Sequence, residues 1–326
     1  MTYDYDWSTL AFESKKPLRE LKATFIAAPR QLSVKRFAEL AKEFLPQGNI
    51  VLGLAKEDYV DGFSGHPQFR TLQATDVQAV IDKVNTSDLP QKIYILHYFQ
   101  REAKFILEKL KFPRVVLING SWRHAFHHSE SYYVLANSGT NYQMVSPFSD
   151  ETEAQAYETK WDQEIAALSP LKNIDKTKSY SDPEMIDLAN EALKFSYDYI
   201  RQTGTVLAKQ TDRGYKYLAH SFNRVVPYQT HAMHHGSVRE ANFSPANDLN
   251  HYDANHAEVE LLIAAQKQGL PLKNTTLFID LLPCPTCARM LSQTDISEFV
   301  YTIDHSEGYA LKLLEKSGKT VRRLVQ

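Results

Sequence analysis

The pattern of hydrophobic and polar positions divides the first third of the chain into short apolar runs and amphipathic stretches. Continuous apolar strands separated by helices are typical of a parallel sheet that is covered on both faces. The pattern therefore predicts a Rossmann-like α/β sandwich of about four strands. The apolar runs lie at 23–28, 49–54, 92–99 and 114–119, and the helical periodicity lies at 33–45, 76–84 and 101–111.

The pattern loosens after Ala125, and we place a domain boundary near Ser169-Pro170, which predicts domains 1–169 and 170–326. The second domain begins with a capping box, in which Ser181 is the N-cap and Glu184 lies three residues on. From there the pattern predicts the order α-β-β-α-β-α-β-α-β. The first two strands form a hairpin, and the later strands are joined by helices and are therefore parallel.

Composition and charge exclude several classes of protein. The chain has 326 residues, with 37 basic and 39 acidic side chains and a formal net charge of −2. This balance argues against a protein that coats nucleic acid without specificity, and the 43% hydrophobic content excludes a mainly disordered chain. Residues 1–7 are acidic and aromatic, unlike a signal peptide, and no apolar run is long enough for a membrane span. We therefore expect a cytoplasmic protein with no membrane partner.

The two cysteines of the chain, Cys284 and Cys287, are three positions apart at the predicted start of a helix. Together with His256, which begins the preceding helix, they offer two thiolates and one imidazole to a zinc ion. The chain has no further cysteine to close the fourth position, which favours a catalytic site. Glu258 lies two residues after His256, where it can carry a proton without being a ligand. A structural zinc site or a redox cysteine pair is the alternative, and neither gives Glu258 a role.

The combination of His256-Ala257-Glu258 with Pro283-Cys284-Pro285-Thr286-Cys287 resembles the signature of the zinc deaminases. The chain from about Asp182 to Val325 resembles the cytidine/deoxycytidylate deaminase superfamily, in the branch that includes the tRNA adenosine deaminases. The resemblance implies a three-layer α/β/α domain that binds one zinc ion per chain. It also implies that Ala257, Pro283 and Asn223 contact the substrate and that the protein is a homodimer or larger oligomer. An extra N-terminal globular domain is known from some bacterial members.

For the substrate, the sequence slightly favours a base within nucleic acid, of the tRNA adenosine deaminase type. The added N-terminal domain favours a base within tRNA or another single-stranded nucleic acid, whereas the near-zero net charge gives no electrostatic signal for RNA. A free nucleotide such as deoxycytidylate is the alternative substrate, and a binding module that retains zinc without catalysis is a third possibility.

Several residues have a structural interpretation as well as a functional one. Asn223 follows a strand, where asparagine commonly stabilises a turn. The long segment before His256 contains four histidines, for which a second metal site and simple loop contacts are both open, and the loop contacts are favoured. These histidines are His231, His234, His235 and His251. The N-terminal domain has neither a G-x-G-x-x-G motif nor a P-loop, so no cofactor is assigned to it.

Overall fold

The computed structural model describes residues 22–246, 248, 250–304 and 308–325. The chain forms two compact units. Unit 1 contains residues 1–158 and 230–252, and unit 2 contains residues 159–229 and 253–326. The predicted division at 169/170 stays a prediction, and these units differ from it in the segments 159–169 and 230–252. The N-terminal heptapeptide used to argue against a signal peptide lies outside the described residues.

Unit 1 is built on a parallel sheet with the strand order β3-β2-β1-β4-β5. Apolar side chains from both faces of the sheet pack against helices, which produces two core clusters. The strands, numbered in chain order, are β1 Ala23–Ala28, β2 Asn49–Ala55, β3 Ile93–Tyr98, β4 Arg114–Ile118 and β5 Asn141–Val145. The helices are α1 Val34–Phe44, α2 Ala74–Asn85, α3 Ala103–Leu110, α4 Glu130–Ser138, α7 His231–His235 and α8 Val238–Ala241.

The Rossmann-like expectation for the N-terminal part is confirmed, with one strand more than the pattern predicts. The additional strand is β5, in which Asn141 is exposed and the other residues are half-buried. Its sequence has no continuous apolar run because it lies at the edge of the sheet. The edge position explains why hydrophobicity alone did not reveal it.

Unit 2 contains a mixed sheet with the order β12-β11-β10-β6-β7. The pairs β10–β11 and β11–β12 are parallel, and β6 pairs antiparallel with both β10 and β7, as the sequence pattern predicts. The strands are β6 Gly204–Thr211, β7 Gly214–Phe222, β10 Thr275–Leu281, β11 Glu298–Ile303 and β12 Thr320–Arg323. The helices are α6 Asp182–Leu193, α9 Ala257–Gln268, α10 Pro285–Ser292 and α11 Tyr309–Lys316. The helix α5, Glu151–Leu168, contains the division between the units.

A short antiparallel ladder in unit 2 frames the segment that belongs to unit 1. Its strands are β8, Arg224–Val225, and β9, Ala254–Asn255. Asn223 immediately precedes β8 and His256 immediately follows β9. The chain therefore leaves unit 2 and returns to it between two of the predicted site residues. Within the described residues, no helix is both long enough and apolar enough to cross a bilayer.

Candidate active site

Two helix N-termini in unit 2 bring the predicted metal ligands together. His256 is the N-cap of α9 and Cys284 is the N-cap of α10, with Cys287 in the first turn of that helix. His256 Nδ1 lies 3.4 Å from Cys287 Sγ and 3.6 Å from Cys284 Sγ. The three ligand atoms all lie within 4.8 Å of one another. The histidine and the cysteines are about 30 residues apart in sequence, and the fold places their side chains next to one another.

The spacing of these atoms matches what a zinc ion requires. Bonds of about 2.3 Å to sulfur and about 2.0 Å to nitrogen, at tetrahedral angles, put the two ligand atoms about 3.5 Å apart. The observed distances of 3.4 and 3.6 Å lie on either side of that value. In the part of the chain that the structure describes, no other set of three His, Cys, Asp or Glu side chains meets the same geometric condition. The donor set of two sulfurs and one imidazole therefore fits a zinc ion.

The two thiols have opposite pKa shifts. The Cys287 thiol donates a hydrogen bond to Cys284, which lowers the pKa of Cys284 well below its usual range against the effect of burial. The same bond raises the pKa of Cys287. The hydrogen bond to Cys284 also raises the pKa of His256. The protein alone thus stabilises one negative charge on the sulfur pair, and a divalent cation would stabilise the second thiolate.

Glu258 lies in the first turn of α9 and is only 3% exposed. Burial raises the pKa of its carboxyl group to about 7, although the nearby His256 favours the ionised form. The side chain of Cys287, one of the three candidate ligands, likewise lowers the pKa of this carboxyl group. A carboxyl group in this position can exchange a proton with a molecule bound beside the sulfur pair.

The side chain of Asn223 is buried and is engaged with the loop that precedes β6. Its Nδ2 donates to Asp198 Oδ2 at 2.9 Å and to the carbonyl oxygen of Arg201 at 2.7 Å. Its Oδ1 accepts from the backbone N–H of Thr203 at 2.8 Å. All three contacts are structural ones of the kind expected for an asparagine at a turn, and the predicted substrate contact stays a prediction.

Ala257 and Pro283 are both buried next to the candidate ligands in sequence. The carbonyl oxygen of Ala257 accepts a hydrogen bond of 2.6 Å from the hydroxyl of Ser221, which in turn lies 2.6 Å from the hydroxyl of Thr205. Sequence reasoning missed Ser221. The available signal was its position two residues before Asn223, which puts both side chains on the same face of the strand.

Sequence reasoning also missed two carboxyl groups on neighbouring elements. Burial raises the pKa of Asp198 and that of Asp280 to about 6. Asp198 accepts from Asn223, and Asp280 accepts a hydrogen bond of 3.1 Å from the backbone N–H of Gly204. Their polar character gave no indication of burial, because Asp is mostly exposed in folded proteins.

The four histidines of the segment 230–252 belong to unit 1, whereas the sulfur pair belongs to unit 2. His234 contacts the hydroxyl of Ser146, and His251 contacts the carboxyl group of Asp248. The rings of His231 and His235 have centroids 4.5 Å apart. None of the four is part of a set of potential metal ligands within the described residues. The second metal site therefore gains no support.

Comparison with known proteins finds deaminases that are similar to part of the chain. Residues 233–323 match the model of the MafB19-like deaminase family. The chain is 29% identical over 143 residues to a deoxycytidylate deaminase from Saccharomyces cerevisiae, a match that covers 44% of each protein. It is 28% identical over 107 residues to the deoxycytidylate deaminase of enterobacteria phage T4, covering 32% of this chain and 51% of the relative. The chain thus spans about half the length, or less, of these curated relatives.

Solved structures of deaminases are also similar to part of the chain. A deoxycytidylate (dCMP) deaminase from the cyanophage S-TIM5, in its apo form, aligns with a TM-score of 0.32 at 18% identity. That alignment covers 44% of this chain and 96% of the phage protein. A structure from a study of tRNA:A34 deaminases aligns with a TM-score of 0.28 at 20% identity, covering 44% of this chain and 98% of that one.

Proposed function

We propose that this chain, which contains a domain of the cytidine/deoxycytidylate deaminase superfamily in its C-terminal part, is a zinc-dependent hydrolytic deaminase of an amino-bearing nucleobase. The observation that carries the proposal is the distance of 3.4–3.6 Å from His256 Nδ1 to both cysteine sulfurs, with the buried Glu258 beside them. His256, Cys284 and Cys287 would hold one zinc ion. When bound, the ion would supply the acidification of a water molecule and the polarisation that hydrolysis requires.

The protein side chains have separate tasks in this proposal. Glu258 transfers one proton from the attacking water to the ring nitrogen and then carries the proton of the new hydroxyl group to the amino group, so that the C–N bond breaks, ammonia leaves and a keto base remains. Its burial suits this task, because a raised pKa lets the carboxyl group both accept and return a proton near neutral pH. The backbone N–H of Ala257 and the side chains of Pro283 and Asn223 are proposed to contact the base or the sugar.

For the substrate, we propose a free nucleotide of the deoxycytidylate type as the first candidate, since both relatives described above are deoxycytidylate deaminases. A base within tRNA or another single-stranded nucleic acid, favoured on the sequence by the extra N-terminal domain, is the second candidate. The cytoplasmic location and the homodimer or larger oligomer also stay proposals.

An ammonia-release assay tests the activity and separates the substrates. Purified protein is incubated with deoxycytidylate, cytidine, adenosine, guanine, tRNA and single-stranded DNA, and zinc content is measured by mass spectrometry. We expect about one zinc per chain and release of ammonia from one substrate class. Zinc at that level with no ammonia from any substrate would favour a non-catalytic binding module instead.

A further inference from the structure

The carboxyl edge of the parallel sheet in unit 1 has the topology of a ligand site. In the order β3-β2-β1-β4-β5, the direction of winding reverses between β1 and β4, which are neighbours in the sheet. In open α/β sheets, ligands bind in the crevice outside the carboxyl ends of the strands at such a reversal. The residues that follow β1 and β4 here are Arg30 and Asn119-Gly120-Ser121.

Arg30 spans this crevice and is fully buried. Its backbone N–H donates to Ser121 Oγ at 3.3 Å, and its Nη1 donates to the carbonyl oxygen of Gly120 at 3.3 Å. Its remaining partners are the carbonyl oxygen of Gln68, the hydroxyl of Tyr157 and the faces of two aromatic rings. None of these contacts is a carboxylate. A guanidinium in a low-dielectric interior is costly without an opposite charge, so this site favours an anion.

Three buried polar atoms without a hydrogen bond lie at the same edge. Within the described residues, Arg30 Nε, Asn119 Oδ1 and Ser149 Oγ are buried and make no hydrogen bond. These three residues follow the ends of β1, β4 and β5, which are consecutive strands in the sheet. Buried polar groups nearly always have a partner, and three unpaired atoms at one edge point to a bound polar molecule.

The segment 230–252 forms a cover at this edge. A Cβ added at Gly120 would lie 3.3 Å from Met233 Cγ and 3.4 Å from Arg30 Nη1, so both side chains lie against that glycine. His234 Nδ1 lies 2.8 Å from Ser146 Oγ, in the loop after β5. Both Met233 and His234 are on α7. A ligand that approaches Arg30 from this side must therefore displace α7.

We propose that unit 1 binds a small oxyanion-bearing molecule at the carboxyl edge of its sheet, with Arg30 as the counter-charge and α7 as the cover. The Nε–H of Arg30 donates to the anion, and Asn119 Oδ1 and Ser149 Oγ bind donor groups of the same molecule. Because α7 must move first, association is expected to be slower than for an open site.

Thermal unfolding of the whole 326-residue chain tests the proposal. The probes are inorganic phosphate, AMP and citrate, each compared with sodium chloride at equal ionic strength, so that phosphate and carboxylate sources are distinguished. We expect at least one probe to raise the Tm saturably, by about 5 °C at 100 times its Kd. The rise should be lost in Arg30→Met, which removes the charge while filling the space, and kept in the exposed control Arg101→Met. No saturable rise with any probe, or an equal rise in Arg30→Met, overturns the proposal.

Hydrogen exchange of the wild-type protein gives an independent answer if Arg30→Met fails to fold. The probe that raises the Tm should slow exchange of the amides at 30–31, 119–121 and 231–236. Protection confined to 256–258 and 284–288 would place the ligand at the zinc site and would overturn the proposal. Neither readout requires deaminase activity, so failure of the proposed function would leave this test intact.

Discussion

The hydroxyl of Ser221 donates a hydrogen bond of 2.6 Å to the carbonyl oxygen of Ala257. That carbonyl belongs to the peptide group that joins Ala257 to Glu258, so the bond sets the orientation of the first turn of α9. A hydroxyl has a single proton, and Ser221 uses it here. In the contact between Thr205 and Ser221, Thr205 is therefore the donor. Ser221 is a positioning residue for the proposed proton carrier.

The first prediction concerns the hydrogen bonds from Thr205 to Ser221 and from Ser221 to Ala257. Ser221→Ala removes the hydroxyl donor to the carbonyl oxygen of Ala257, which as the first residue of α9 keeps its helical acceptor bond, so the loss is that of one hydrogen bond, about 0.5–1.5 kcal/mol. We expect kcat to fall about tenfold or more on the accepted substrate, while zinc content stays at the wild-type level. Thr205→Val keeps the bond from Ser221 to Ala257 and should have a smaller effect on kcat. Equal kinetics of Ser221→Ala and wild type would rule out the positioning role.

The second prediction concerns Glu258. Glu258→Gln keeps the shape of the side chain and removes its ability to accept a proton, so we expect a loss of about 10²-fold or more in kcat. Zinc bound per chain should not change, because Glu258 is not one of the three candidate ligands. The matched control is Glu260→Gln on the same helix, whose side chain accepts from Asn255 Nδ2 at 2.8 Å. A Glu258→Gln enzyme as active as the control would exclude the proposed mechanism.

The third prediction concerns metal removal. His256→Ala or Cys284→Ala takes away one of three candidate ligands, and we expect zinc content to fall far below one per chain. A chelator should likewise lower the Tm of the wild-type protein, because a metal bound only to the folded state stabilises it. The Tm of His256→Ala should no longer respond to the chelator. A wild-type Tm that is insensitive to chelation, with no zinc in the purified protein, would contradict the metal assignment.

The fourth prediction uses the buried carboxyl group of Asp280. Burial raises its pKa from 3.8 to about 6 in the folded protein. A raised folded-state pKa gives a stabilising contribution that is complete below the unfolded pKa and is lost as the pH rises through about 6. Asp280→Asn stays neutral, and its side-chain oxygen can still accept from the N–H of Gly204. We therefore expect the variant to be more stable than wild type by about 1–3 kcal/mol at pH 7.5.

Near pH 4 the same variant should lose this advantage, because the wild-type carboxyl group is then largely protonated. Calorimetric unfolding at the two pH values measures the difference, and the exposed Asp212→Asn serves as control. A stability gain that is the same at pH 4 and pH 7.5 would show that the ionisation of Asp280 is not its cause.

The fifth prediction concerns the ion pairs that join the ends of unit 2. Arg322 on β12 contacts Asp182 through both terminal nitrogens, at 2.8 and 3.2 Å, and Glu298 through Nε at 2.7 Å. Asp182 begins α6, so the guanidinium connects this helix to β12. Arg322→Met leaves two partly buried carboxylates without their cationic partner, although Glu298 still accepts from the hydroxyl of Thr276 at 2.8 Å, and we expect a loss of about 1–3 kcal/mol of stability.

The neighbouring Arg323 provides a matched control, because its Nε donates to a neutral group, the carbonyl oxygen of Thr302, at 3.0 Å. Arg323→Met should cost less than about 1 kcal/mol. A double-mutant cycle of Arg322→Met with Asp182→Asn isolates the coupling between the pair. Equal stability of the two arginine variants would refute the role of the network.

Much of the fold could be predicted from the sequence because its signals are local. The capping box at Ser181 and Glu184 begins α6 as predicted, and Gly269 ends α9 in a left-handed conformation. The three candidate ligands were predictable because metal chemistry demands particular residue types at particular spacings. The strand β5 was missed because an edge strand needs no apolar run.

Other features depend on contacts between distant residues and leave no local signal. The carboxyl group of Asp280 is removed from water by residues distant in sequence, so its neighbours in the chain give no signal of its raised pKa. An arginine that follows a strand is expected at the surface, yet Arg30 is fully buried. The assignment of 230–252 to unit 1 rests on contacts such as that of Glu240 Oε1 with the backbone N–H of Phe126, at 3.2 Å. Residues 114 positions apart cannot be paired from one sequence.

The division of the chain between the units has a consequence for its synthesis. The polypeptide passes between the units three times, after residues 158, 229 and 252. Unit 1 therefore cannot complete its fold until residue 252 has left the ribosome, by which time the hairpin of unit 2 has already emerged. During synthesis the sheet of unit 1 is therefore exposed without α7 and α8 while residues of unit 2 emerge. One proteolytic cut cannot separate the two units into complete pieces, and neither can be expressed whole as a single uninterrupted fragment.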